Sequence, residues 1–210
     1  KIFLFGSWYG NKYGDNPRYF FEWLVASNEE VNCYWVTKNK NLYNELKAKN
    51  INVVLTTGFK ARWLHFRANA VFCNCSAMTD LWGEYLNRKT TIFNLWHGTP
   101  IKKIGRDAMA SNISSERLGL KRQTFLSKVS PSSIRAFVKS ITEKELYYLA
   151  SSDKVAEILS SAMAVDKNHI IVNGYPKLDH LIATPKTPVP GSILYAPTYR
   201  GEYNSENDLL

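Results

Sequence analysis

The chemistry in this chain concentrates in one stretch, Asn94-Leu-Trp-His-Gly-Thr-Pro-Ile-Lys-Lys-Ile-Gly-Arg-Asp107. His97 is a side chain that takes and returns a proton near neutral pH. Lys102, Lys103 and Arg106 follow it, and clustered cations hold phosphate. An imidazole beside such cations points to chemistry on a phosphorylated substrate. The same residue types also fit a turn histidine beside a solvated basic loop. Position brings the two readings level. Thr90 to Trp96 is β-branched and aromatic, which predicts a strand. Gly98 and Pro100 then break it. His97 stands where the strand gives way to a loop, and in open α/β sheets ligands bind at that carboxyl edge.

The elements that must position His97 alternate along the chain. Ile2–Phe5, Cys33–Thr37, Ile51–Leu55, Val71–Cys75, Thr91–Trp96, Tyr147–Ala150 and His169–Val172 read as short apolar strands. Between them, helices are expected from Asn16-Pro17 to Ala26, over Asn41–Lys49 and Phe59–Ala68, and from Ser152-Asp153 to about Ala162. Asn16 reads as the cap of the first, with Pro17 at its first helical position. Strand–helix alternation implies βαβ units and a parallel sheet, hence an α/β, Rossmann-like class. Gly6, Gly10 and Gly14 lead toward that first helix but form neither GxGxxG nor a P-loop. Asn173-Gly-Tyr-Pro-Lys-Leu-Asp179 reads as a polar loop at a strand's end. Three prolines between Thr184 and Gly191 suggest a stiff linker. The expected layout is one domain over 1–184, a linker over 185–191, and the first strand of a second domain in 192–210. The abrupt apolar start without Met reads as a trimmed chain.

Composition narrows the partners. The net charge of +9 over 210 residues calls for something anionic: nucleic acid, anionic lipid or a phosphate-rich substrate. No helix-turn-helix, zinc-finger or RNP pattern is present, which argues against nucleic acid. Residues 114–145 interleave seven Lys and Arg with apolar side chains; this suits an anionic membrane surface or helices with a solvated basic face. No apolar run approaches the roughly 18 residues of a membrane span. Cys73 and Cys75 read as core thiols facing one way on a strand; no second Cys/His pair completes a metal site, and no cofactor is expected.

Three loops then coincide with a known family. Trp96-His-Gly-Thr-Pro-Ile-Lys-Lys-Ile-Gly-Arg-Asp107 resembles the signature of the CDP-glycerol glycerophosphotransferases, which prime or polymerise teichoic acids and related capsule polymers. Asn173-Gly-Tyr-Pro-Lys-Leu-Asp179 resembles the family's Gly-Tyr-Pro-Arg-x-Asp, with Lys177 in place of Arg. Leu194-Tyr-Ala-Pro-Thr-Tyr-Arg200 resembles its Leu-Tyr-Ala-Pro-Thr-Trp-Arg, and Asp15-Asn16-Pro17 a weaker feature.

The resemblance implies a two-domain glycosyltransferase B fold, of which this chain would be the N-terminal half. It implies transfer of glycerol phosphate from CDP-glycerol to an acceptor hydroxyl, with release of CMP. Acceptors would ride on undecaprenyl-linked carriers at the cytoplasmic face of the membrane. His97 would be the general base. Lys102, Lys103 and Arg200 would meet phosphate, with Gly98, Thr99, Asp15 and Asn16 also lining the substrate site. The Asp179 loop would shape the cleft. The family's second catalytic histidine and main donor site would lie outside this chain, leaving it inactive alone. A related enzyme using CDP-ribitol or a nucleotide sugar, and a non-catalytic phosphate-binding or membrane-docking module, are the competing expectations.

Overall fold

The computed structural model describes residues 1–27, 29–111, 145–184, 190–193 and 195. Among these, seven strands form one sheet: β1 (Ile2–Phe5), β2 (Asn32–Thr37), β3 (Val53–Leu55), β4 (Ala70–Cys73), β5 (Thr91–Asn94), β6 (Leu146–Ala150) and β7 (Ile170–Val172). Their order is β3-β2-β1-β4-β5-β6-β7, and every pair is parallel. Parallel strands lie between layers, so their sequences are unbroken apolar runs such as Ile-Phe-Leu-Phe and Ala-Val-Phe-Cys. The expected Rossmann-like α/β class is what the chain forms.

The described helices are α1 (Asp15–Ala26), α2 (Lys40–Ala48), α3 (Phe59–Arg67), α4 (Ala77–Asp80), α5 (Gly105–Ser111), α6 (Asp153–Met163) and α7 (Pro176–Ala183). Side-chain oxygens of Asn39, Ser76 and Ser152 accept the first free N–H groups of α2, α4 and α6. One core joins Leu4, Val36, Val71 and Cys73 to Ala61 and Leu64 of α3. A second joins Phe5, Trp35 and Phe72 to Phe21 and Leu24 of α1. A third, at the β6 end, gathers Trp96, Ala150, Leu159 and Tyr175. None of the described helices is long and apolar enough to cross a membrane.

Three local expectations are corrected. Asn16 is not a cap: α1 starts at Asp15 with Gly14 as its flanking residue, and the Asn16 side chain is buried elsewhere. Asn173–Asp179 is only half a loop. Gly174 turns at φ +74°, and Pro176 then starts α7, its fixed φ suiting a first helical turn. α7 packs on α1, with the His180 ring stacked on Tyr19 at 4.6 Å. Cys75 lies past the end of β4, so it does not share a strand face with Cys73. The strand expected from Ser192 to Ala196 includes Leu194 and Ala196, which with residues 197–210 lie outside the described residues.

His65 links α3 to the turn before β5. It is wholly buried. Its Nδ1 donates to the Ala61 carbonyl at 2.6 Å, and its Nε2 accepts the Trp82 N–H at 3.2 Å. Burial holds its pKa below the ordinary 6.5, with the Ala61 hydrogen bond and then Glu84 partly offsetting this. The unfolded chain therefore binds this proton at a higher pH than the folded one. The contribution is complete above pH 6.5 and is lost as pH falls below it. The thermal midpoint should drop between pH 7 and pH 5, and the slope should be shallower in His65→Gln.

Candidate active site

Strand order reverses between β1 and β4. Such a switch point opens a crevice at the sheet's carboxyl edge. Two carboxylates tie the loops around it.

Asp80, wholly buried at the end of α4, accepts the Tyr9 N–H at 2.8 Å on Oδ1. Its Oδ2 accepts the N–H groups of Asn74 at 3.0 Å and Cys75 at 2.8 Å. The β1 and β4 loops are thus bound to one side chain. Gly6 permits the approach, since a Cβ there would sit 2.6 Å from the Asp80 carbonyl oxygen. Gly10 is close to the same oxygen, at 3.1 Å for a built Cβ, so these two glycines make room for protein.

Asp15 is the second carboxylate. Oδ1 accepts from Lys177 Nζ at 3.0 Å and from the Asn16 N–H at 2.9 Å; Oδ2 accepts from Asn74 Nδ2 at 3.3 Å. Lys177 Nζ also donates to the His97 carbonyl at 2.6 Å. Asn16 Nδ2 donates to the carbonyls of Leu95 at 3.0 Å and Trp96 at 2.9 Å, while its Oδ1 accepts the Lys177 N–H at 3.3 Å. Three successive carbonyls after β5 are therefore held from the α1 and α7 side.

That grip sets His97. Its Nδ1 lies 3.0 Å from the Asn74 carbonyl oxygen. A carbonyl only accepts, so the ring nitrogen donates, and the neutral imidazole keeps its lone pair on Nε2. The ring stacks on Trp96 at 4.5 Å and lies 5.8 Å from Trp8. His97 is otherwise exposed. One ring nitrogen is thus anchored, and the other keeps its lone pair. Among the described residues, Trp8, Tyr9, Asp15 and Trp96 have left-handed φ of 47° to 60°. All four stand on this rim, where strained backbone is held by surrounding contacts.

The other expected site residues are distributed differently. The Gly98 carbonyl accepts the Tyr175 hydroxyl at 3.5 Å, and Thr99 is exposed beyond it. Lys102 and Lys103 line a separate hollow of about 570 Å³ with Pro100, Ile101, Ile104, Asp107 and Ile158. Asn16, expected at the substrate, is wholly buried with both ends of its amide engaged. Arg200 and residues 112–144 lie outside the described residues. The residues that sequence reasoning missed are Asn74, Asp80 and Trp8, which carry no local signal. Lys177, noted only for its motif, belongs to the site. The thiols beside it are inert: Cys73 is fully buried, and burial, with Asp80 and Asp15 nearby, pushes Cys75 up to about 12. Among the described residues no three His, Cys, Asp or Glu side chains gather closely enough to hold a metal ion.

Lys177→Met should strip the cation from an Asp15 carboxylate whose side chain is only 8% exposed. The expected loss is about 1–3 kcal/mol of unfolding free energy, since Asp15 keeps its two N–H partners. Urea denaturation measures it, and Lys177→Arg should retain most of the stability.

The family model of CDP-Glycerol:Poly(glycerophosphate) glycerophosphotransferase matches residues 1–208. A teichoic acid glycerol-phosphate transferase of Staphylococcus aureus (strain NCTC 8325 / PS 47) is 27% identical over 181 residues, 86% of this chain and 42% of its own. A teichoic acid poly(glycerol phosphate) polymerase of Bacillus subtilis (strain 168) is 25% identical, covering 100% of this chain and 28% of its own. The solved structure of the wall teichoic acid polymerase TagF superposes with a TM-score of 0.58 at 23% identity, over 87% of this chain and 40% of that one. The chain thus spans less than half the length of these relatives.

Proposed function

This chain belongs to the CDP-glycerol:poly(glycerophosphate) glycerophosphotransferase family, and from that membership we propose that it supplies the acceptor-side half of a two-lobed transferase. The reaction moves glycerol phosphate from CDP-glycerol to a hydroxyl of a membrane-linked teichoic acid or capsular acceptor, at the cytoplasmic face of the membrane. The observation that carries this reading is His97, with Nδ1 anchored on the Asn74 carbonyl at 3.0 Å and Nε2 left for substrate.

Nε2 takes the proton of the attacking acceptor hydroxyl. That oxygen forms a bond to the phosphorus bearing glycerol, and the bond from this phosphorus to CMP breaks. Negative charge on the phosphoryl oxygens and on CMP calls for cations fixed in advance. Lys102, Lys103 and Arg200 are the candidates. Lys177 instead donates to Asp15 and to the His97 carbonyl, which gives its ammonium a place in holding the loop. The relatives, of which this chain covers 42% and 28%, support a donor lobe outside these 210 residues.

The test is nucleotide release by the complete enzyme (CMP from CDP-glycerol or CDP-ribitol, the nucleoside diphosphate from a nucleotide sugar) with a lipid-linked acceptor. CDP-glycerol should be preferred at least about tenfold, a discrimination of some 1.4 kcal/mol. The 210-residue chain alone should release none. Preference for another donor, or turnover by the chain alone, would refute this reading.

A further inference from the structure

One face of α3 has no use in the proposed site. Ala61, Leu64 and His65 point into the core. On the opposite side Phe59 is 84% exposed, Trp63 49% and Phe66 65%. Their spacing of four and then three residues aligns the rings along one side of the helix. Cations border them. Lys60 Nζ lies 5.5 Å from the Tyr34 ring, Arg67 lies 5.7 Å from Trp63, and Arg62 lies 5.1 Å from Trp82 and 5.5 Å from Tyr85. Asn87 Nδ2 donates to the Phe66 carbonyl at 2.5 Å, which brings the exposed Arg88 and Lys89 to the same end. Glu84 is the acid nearby.

We infer that the outer face of α3 docks on an anionic lipid bilayer, with Phe59, Trp63 and Phe66 entering the headgroup region. Exposed aromatic rings rimmed by Lys and Arg match both the apolar and the anionic layers of such a surface. A purely apolar partner would not match the cationic border; an acidic protein surface would leave three rings unburied. The placement fits as well. β3 ends at the sheet's carboxyl edge, so α3 begins on the edge where His97 stands. A bilayer meeting α3 would bring a lipid-linked hydroxyl toward the crevice. The use of this face rests on the proposed membrane-linked acceptor, but its test does not.

The test uses the 210-residue chain with vesicles of phosphatidylglycerol and phosphatidylcholine in equal parts, some carrying brominated acyl chains. Expected are co-flotation with these vesicles, much weaker flotation with phosphatidylcholine alone, and bromine quenching of tryptophan fluorescence that is largely lost in Trp63→Phe. The triple variant Phe59→Ser, Trp63→Ser, Phe66→Ser should partition at least about tenfold less. Because these side chains are exposed, its thermal midpoint should match the parent's. Residues 112–144 contain no tryptophan, so docking through them would leave Trp63 unquenched. Quenching unchanged in Trp63→Phe, equal partitioning of the triple variant, or no flotation would overturn the inference. None of these readouts involves phosphoryl transfer, so the two readings fail separately.

Discussion

His97→Ala should lower the rate of CMP release by the complete enzyme by ~10²–10⁴-fold while leaving KM for CDP-glycerol little changed. The magnitude is that of a positioned general base, or about 3–5 kcal/mol of transition-state stabilisation. The split between kcat and KM follows from geometry. The ring makes one hydrogen bond within the described structure, from Nδ1 to the Asn74 carbonyl, and rests on Trp96. Removing it therefore empties a proton-accepting position and leaves the loop anchored by Asn16 and Lys177. Folding should be nearly unaffected, because His97 is exposed. His97→Gln should be as slow as alanine, because an amide fills the space without taking the proton. Undiminished CMP release in His97→Ala would remove the imidazole from the mechanism.

How much of this was legible depends on sequence distance. The strands were, since each is a short apolar run and a parallel sheet leaves no face for polar alternation. The place of His97 was too, since a strand and the Gly98–Pro100 break adjoin it. α7 was not, because Asn-Gly-Tyr-Pro signals a turn and the same proline that ends the loop starts the helix. Asn16 misled for a related reason. A cap and a buried tertiary donor use the same amide, and only the fold shows that the carbonyls of Leu95 and Trp96 claim it. The deepest omissions are the longest contacts. Lys177 and Asp15 are 162 residues apart, and Asp80 meets Tyr9 across 71; no local pattern encodes either.

Asp80 carries the largest structural expectation. Asp80→Ala should lower the unfolding free energy by roughly 3–5 kcal/mol, because it strands three N–H groups, each costing about 1–3 kcal/mol when left unpaired. Those groups belong to Tyr9, Asn74 and Cys75, so two loops lose their common anchor together. No water route replaces it easily: Asp80 is wholly buried, and Gly6 lies hard against its carbonyl. Asp80→Asn keeps one acceptor oxygen and turns an NH₂ toward an N–H donor, so it should fall between alanine and the parent. Urea denaturation reads the series directly. A loss below about 1 kcal/mol in Asp80→Ala would mean that the loops are held by other contacts. The kinetic consequence separates anchoring from chemistry. Asn74 receives one bond from Asp80 on its N–H and supplies the carbonyl that orients His97. At a temperature where Asp80→Asn is still folded, kcat should therefore fall more than KM rises, even though Asp80 touches no substrate.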